Sequence, residues 1–331
     1  MAQQSMKSSG VMSAADAKRI AKRSGKKTAR NRFKKSLSLY ALLLPGLFMI
    51  ILFHYVPMYG LAIGFKKYNI FLGNSPFDAI RLSPWVGLAN WNRLWVLSKF
   101  RQAIINTFVI SAMKIVIGFP IPIILALMIN EVRGTITKRV LQTVMYLPHF
   151  ISWVVVGALF MNILGTTGIV NSWINAMGGQ TQKFFMDNRW FRWILLLTSV
   201  WKESGWGTIV YLAAITGIDP ALYEAARIDR ANRLQQIWYV TLPGIAGTIV
   251  MMLILRLGGI MDAGFSQILV MYNSTVYKSG DIIGTFVYRE GIGKFNWSQG
   301  TIVGFFNSII NMILMLGGNY ISRRMTERSI W

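Results

Sequence analysis

Asp219-Pro220-Ala221-Leu222-Tyr223-Glu224-Ala225-Ala226-Arg227-Ile228-Asp229-Arg230-Ala231-Asn232-Arg233, running on to Thr241-Leu242-Pro243-Gly244, is the most specifically patterned stretch of this chain. Asp219 is a good N-cap and Pro220 occupies a first helical position, where a missing N–H costs nothing, so a helix is expected to start here. Ala221, Leu222, Ala225 and Ala226 give it a small, smooth face, and Glu224, Arg227 and Arg230 carry charge at three- and four-residue spacing. A helix so short and charged suits a groove in a partner protein, where small side chains permit close approach and one acid can meet a cation. Leu242-Pro243 is expected to stop it before the next apolar stretch.

The other residues that need a chemical account are charges in apolar surroundings: Lys114, Lys202, Glu203 and Arg256. An ion in hydrocarbon costs at least about 2.5 kcal/mol, so each must find a partner or face a hydrated cavity. Two readings stand: a structural ion pair such as Glu203 with Arg256, or a pathway for a polar substrate in which the cations favour an acidic one. Trp201, Trp206 and Tyr211 offer faces on which a substrate ring could stack, although Trp and Tyr also populate membrane interfaces for amphipathic reasons alone. The candidate pathway set is therefore Trp201, Lys202, Glu203, Trp206, Tyr211 and Arg256.

No phosphate-binding G-x-x-x-x-G-K-[ST] pattern occurs in the chain, and neither a Ser/His/Asp set nor a metal-ligand cluster is evident. With no cysteine and only two isolated histidines, His54 and His149, disulfides, Cys-ligated metals and Cys nucleophiles are excluded. The chain is expected to be neither an enzyme nor a holder of cofactor or metal.

These residues must be positioned by helices in a membrane. Of 331 residues, 53% are hydrophobic and 14% charged, a balance unlike that of a soluble chain. Windows long enough to cross about 30 Å of hydrocarbon lie within 36 to 65, 102 to 130, 140 to 182, 193 to 218, 234 to 261 and 295 to 322. The expected fold is all-α and polytopic, with six transmembrane helices over 37 to 321. A basic tail (1 to 36) and a short tail (322 to 331) flank them, and the loop 216 to 243 carries the short helix. Segments on the side of both tails hold 20 Lys and Arg in 84 residues, against 12 in 106 on the other side, which places both termini in the cytoplasm. The arm 1 to 36 reads as disordered and lying on anionic membrane lipid; it lacks the interleaved aromatics of a nucleic-acid binder.

The Glu224-Ala225-Ala226 triplet, with Val240 and Leu242-Pro243 at fixed distances after it, resembles the EAA loop (EAA-x3-G-x9-I-x-LP) of permease subunits of binding-protein-dependent ABC importers. Arg230 stands where that family has Gly. Either the helix runs on through Arg230, or the loop docks differently; a left-handed turn there would cost an Arg about 1 to 2 kcal/mol. His54-Tyr55-Val56-Pro57-Met58-Tyr59-Gly60, Ser83-Pro84-Trp85-Val86-Gly87-Leu88 and Trp201-Lys202-Glu203-Ser204-Gly205-Trp206-Gly207 are similar to the branch that imports oligosaccharides and polysaccharide fragments. The resemblance implies the type I importer permease fold in a bacterial cell membrane and a second permease subunit, more often a heterodimer partner than a second copy. It also implies two ATP-binding subunits that hold ATP and Mg, an external or periplasmic solute-binding protein, and a saccharide substrate. It assigns Glu224, Ala225, Ala226, Asp229, Arg230, Leu242 and Pro243 to coupling with the ATPase. The rival readings are a secondary carrier and a membrane enzyme acting on lipid-linked sugars.

Overall fold

The computed structural model describes residues 40 to 326, with side chains described to residue 320. The basic arm 1 to 36 and the last five residues lie outside the described residues. The described chain is helical, with a single isolated antiparallel bridge between Lys66 and Trp85 and no strand among the described residues. Five helices are long and apolar enough to cross a membrane: Tyr40–Phe65, Ser98–Glu131, Trp153–Ala176, Arg233–Gly258 and Trp297–Tyr320. Asn188–Thr216 meets the same length and apolarity only together with the short helix Pro220–Ile228, across a 71° bend, and makes a sixth crossing when this bent pair is taken as one span. These six are spans 1 to 6 in chain order, and each overlaps one of the windows read from the sequence, with spans 2, 4 and 5 beginning before theirs.

The chain divides into two compact units, Met1–Leu61 and Ala62–Trp331. Within the first, the helix from Tyr40 carries an apolar surface that is exposed almost throughout, as expected of side chains that face lipid. Within the second, the buried side chains fall into three clusters. Ile110, Val156, Phe191, Leu195, Ile268 and Met271 form one of them. Leu94, Phe100, Met261, Phe286, Ile302 and Val303 form another. Ala126, Ile129, Tyr211, Leu212, Ile215 and Ile245 form the third, next to the bend that leads into the short helix.

The prolines explain the irregularities of the spans. Three π turns, Ile51–Tyr55, Lys114–Gly118 and Ile237–Thr241, each end two residues before a proline: Pro57, Pro120 and Pro243. A proline has no N–H to donate and its ring crowds the carbonyl four residues back, and the wider turn relieves both problems without ending the helix. This corrects the expectation for Leu242-Pro243. They lie inside span 5, which begins at Arg233, and do not terminate the loop helix.

Span 5 is itself interrupted beyond Gly258. Ala263 (φ 50°) and Gly264 (φ 85°) turn the chain in left-handed conformation before the short apolar helix Phe265–Met271 packs back against spans 3 and 4. Such a break exposes backbone carbonyls at the interior of the bundle, where side chains of other spans must satisfy them. Ser111 of span 2 donates its hydroxyl to the Ile260 carbonyl, and the Lys114 ammonium donates to the Ala263 carbonyl at 2.9 Å and to Gln267 Oε1 at 2.6 Å. Gln267 in turn donates to the Leu195 carbonyl and to Thr198 of span 4.

Candidate functional site: the loop helix and the intramembrane cavities

The short helix Pro220–Ile228 buries none of its residues within this chain. Its start follows the sequence: the Asp219 carboxylate accepts from the Ala221 N–H at 2.9 Å, and Pro220 takes the first turn. Its end is a Schellman turn, in which the Ala231 N–H donates to the Ala226 carbonyl and the Arg230 N–H to the Arg227 carbonyl. That turn requires a left-handed residue, and Arg230 supplies it at φ 58°. The helix therefore does not run on through Arg230, and the backbone turn survives without the glycine. Two residues later Asn232 and Gln235 form a reciprocal capping box that starts span 5. The helix is pinned at its other side by Tyr223, whose hydroxyl lies 3.0 Å from Thr241 Oγ1.

Glu224, Ala225, Asp229 and Arg230 are exposed and Ala226 is half-buried; Leu242 is half-buried and Pro243 exposed on the first turns of span 5. Glu224 makes no ion pair or hydrogen bond among the described residues. Ile228 is 82% exposed beside it. The helix is thus set between the ends of spans 4 and 5, with its outer face free of contacts among the described residues.

The pathway candidates divide. Glu203 and Arg256 line two adjoining cavities, of about 140 and 330 Å³, and share that boundary with Lys114 and Ser199. Trp206 and Tyr211 line the smaller cavity together with Pro122 and Met252. Lys202 is buried beside these cavities, with its ammonium hydrogen-bonded to the His149 carbonyl and set 5.5 Å above the Trp153 ring. Trp201 lines neither cavity and packs edge-on against Phe160 of span 3 at 5.5 Å.

The expected Glu203–Arg256 pair is not formed. Glu203 Oε2 instead lies 2.9 Å from His149 Nδ1, and its other oxygen lies 3.6 Å from Lys202 Nζ. His149 reaches Glu203 from within the short turn Leu147–Phe150, and its ring stacks on Trp206 at 4.9 Å. That approach needs Gly205: a Cβ there would sit 2.0 Å from the Met145 carbonyl oxygen. His149, one of the two isolated histidines, is thus hydrogen-bonded to Glu203 of the cavity wall across 54 residues.

A polar cluster between spans 5 and 6 had no signal in the spacing of its residues. Arg289 donates two bonds to the buried Asp281, at 2.9 and 2.6 Å, with its guanidinium over Tyr277. Asn106 of span 2 donates to the Asp281 carbonyl and accepts from Arg192 of span 4. Burial works to raise the neighbouring Glu290 carboxyl, but bonds and charge from Lys294 and Arg289 outweigh it and hold Glu290 below the ordinary carboxylate range.

Comparison with known proteins places this geometry in context. Residues 118 to 327 match the family described as binding-protein-dependent transport system inner membrane component. The polygalacturonan/rhamnogalacturonan transport system permease protein YteP of Bacillus subtilis (strain 168) is 41% identical over 294 residues, covering 88% of this chain and 90% of that protein. Protein LplB of the same organism is 39% identical, covering 90% and 92%. A chain of a bacterial ABC transporter involved in the import of the acidic polysaccharide alginate superposes with TM-score 0.83 at 39% identity, covering 90% of this chain and 99% of that one. With the motif, the helical architecture and these matches in agreement, the chain belongs to the family of inner membrane components of binding-protein-dependent transport systems.

Proposed function

We propose that this chain is one permease subunit of an ATP-driven importer of an oligosaccharide or polysaccharide fragment. It forms half of the transmembrane pathway, a second permease, most simply a related but different chain, forms the other half, and two ATP-binding subunits dock on the face that carries Pro220–Ile228. The observation that carries this reading is the loop helix itself. It is capped at both ends, bare of contacts on its outer face, and presents an unpaired Glu224 for a cation of an ATPase cleft. The chain hydrolyses nothing; ATP and Mg belong to the partner.

By the distribution of Lys and Arg, this helix and both termini face the cytoplasm, and the loops 64 to 103, 164 to 192 and 262 to 298 face the external binding protein. Alginate, polygalacturonan and rhamnogalacturonan are carried by the named relatives, which supports a saccharide substrate here. Closure of the ATPase dimer would rock spans 4 and 5 about the bundle and switch the cavities between outward and inward access.

The test is Glu224→Ala in the purified assembly. Complex formation in the membrane persists while binding-protein-stimulated ATP hydrolysis falls at least about tenfold, the loss expected for one charge-assisted contact at an interface. Normal transport by this variant overturns the role given to Glu224, and isolation of the active transporter without any ATPase overturns the function.

A further inference from the structure

Two acids, Glu203 and Asp262, share the larger cavity with Lys114 and Arg256, yet neither pairs with Arg256 among the described residues. Glu203 is engaged by His149 and Lys202, and Asp262, exposed at the break after span 5, accepts the Gly264 N–H. Lys114 is buried, and its ammonium donates to neutral acceptors, the Ala263 carbonyl and Gln267. Arg256 makes no hydrogen bond and no ion pair among the described residues, although it lines both cavities.

Depth sharpens the point. Arg256 shares the cavity wall with Lys114, which sits near the middle of the long span Ser98–Glu131. After Gly258 the chain turns into the apolar helix Phe265–Met271, which bonds to Leu195 and Thr198 of span 4 through Gln267. The break at Gly258 to Gly264 is therefore packed within the bundle, level with the middle of span 2, and Arg256 at its edge is exposed on this chain. An arginine at such a depth is costly unless a cavity hydrates it or an anion meets it. Its planar fork is suited to a carboxylate, to which it donates two parallel bonds.

We infer that Arg256 is the residue that reads the carboxylate of an acidic sugar unit as the substrate crosses, so that the cavity prefers uronate-containing chains. Trp206, held flat by its stack on His149, lies on the same wall and offers a face to the sugar ring, while Ser199 and Glu203 supply acceptors for its hydroxyls. This inference rests on the saccharide-import reading above.

The experiment uses the complete transporter, with its second permease, ATPase subunits and binding protein, reconstituted in liposomes. Uptake of an oligogalacturonate is compared with that of its methyl-esterified form, which has the same length and linkage but no charge. The acid-to-ester uptake ratio is divided by the same ratio for wild type, which cancels any preference of the binding protein. Arg256→Gln and Arg256→Met lower the normalised ratio by about tenfold or more, the worth of a charge-assisted pair, and Arg256→Lys restores part of it.

Because Arg256 has no partner among the described residues, Arg256→Met also assembles at full yield; an apolar side chain replaces a costly ion. Failure of both neutral variants to assemble means that a structural acid on the second permease holds the guanidinium, and overturns the inference. An unchanged ratio, or an equal loss for acid and ester, does the same. Uptake of neither saccharide by the wild-type assembly refutes the import reading itself, and this assignment with it.

Discussion

Replacing Arg230 with glycine isolates the energetic consequence of the one position at which the loop departs from its family pattern. Arg230 is the C′ residue of a Schellman turn, at φ 58°, with both reciprocal bonds to Ala226 and Arg227 formed. An L side chain in that conformation costs about 1 to 2 kcal/mol, from the approach of Cβ to the following carbonyl. Glycine removes this strain but gains freedom in the frayed state worth about 0.4 to 1 kcal/mol. The net gain for Arg230→Gly is about 0.5 to 1 kcal/mol, or about a two- to fivefold slowing of local opening. Hydrogen exchange of the Asp229, Arg230 and Ala231 amides, measured in lipid nanodiscs, reports that opening directly. Arg230→Lys controls for the lost chain length and charge and leaves exchange unchanged. Arg230→Val, β-branched and poorly suited to left-handed geometry, speeds it. Equal exchange in the Gly and Val variants would show that the backbone at 230 is not left-handed in the membrane, and the account of how the loop keeps its turn would fail.

Gly205→Ala places a methyl against the Met145 carbonyl and forces the segment 145 to 149 away from span 4. The His149–Glu203 contact is lost and thermal unfolding of the detergent-solubilised protein moves down, by the equivalent of about 1 to 3 kcal/mol; an unaltered transition speaks against this packing. Glu290 makes acid stability measurable. Its folded carboxyl titrates below the ordinary range, so its contribution is fully present above the unfolded carboxylate value and is lost as pH falls through the folded one. The transition temperature holds steady from neutral pH down to that range and then drops, and Lys294→Gln shallows the drop. A profile identical in the variant removes the role of the Lys294–Glu290 contact.

The order of the helices was legible because a membrane imposes length and apolarity on every crossing, and both are properties of the linear chain. The same holds for the loop helix, whose start is local chemistry at Asp219 and Pro220, and whose identity rests on a spacing pattern. Family membership then set aside the secondary carrier and the lipid-linked-sugar enzyme as rivals. Local reasoning went wrong at Leu242-Pro243, where a proline was expected to end a helix. A π turn absorbed it, and π turns carry no residue signature of their own.

What sequence alone determined here is everything that depends on near neighbours or on the solvent: six crossings, a capped rod between the fourth and fifth, and too few charges for water. The partners of the buried ions belong to tertiary structure. Glu203 could have met Arg256, His149 or Lys202 with equal electrostatic reason. The choice fell to a glycine that lets one backbone press against another, and to a break beyond span 5 whose freed carbonyls claim Lys114. Long-range pairing is decided by which surfaces can approach closely enough to exclude solvent, and no spacing rule along the chain encodes that distance. Arg256 was left unmatched by that same packing, which is why its significance emerged only with the bundle assembled.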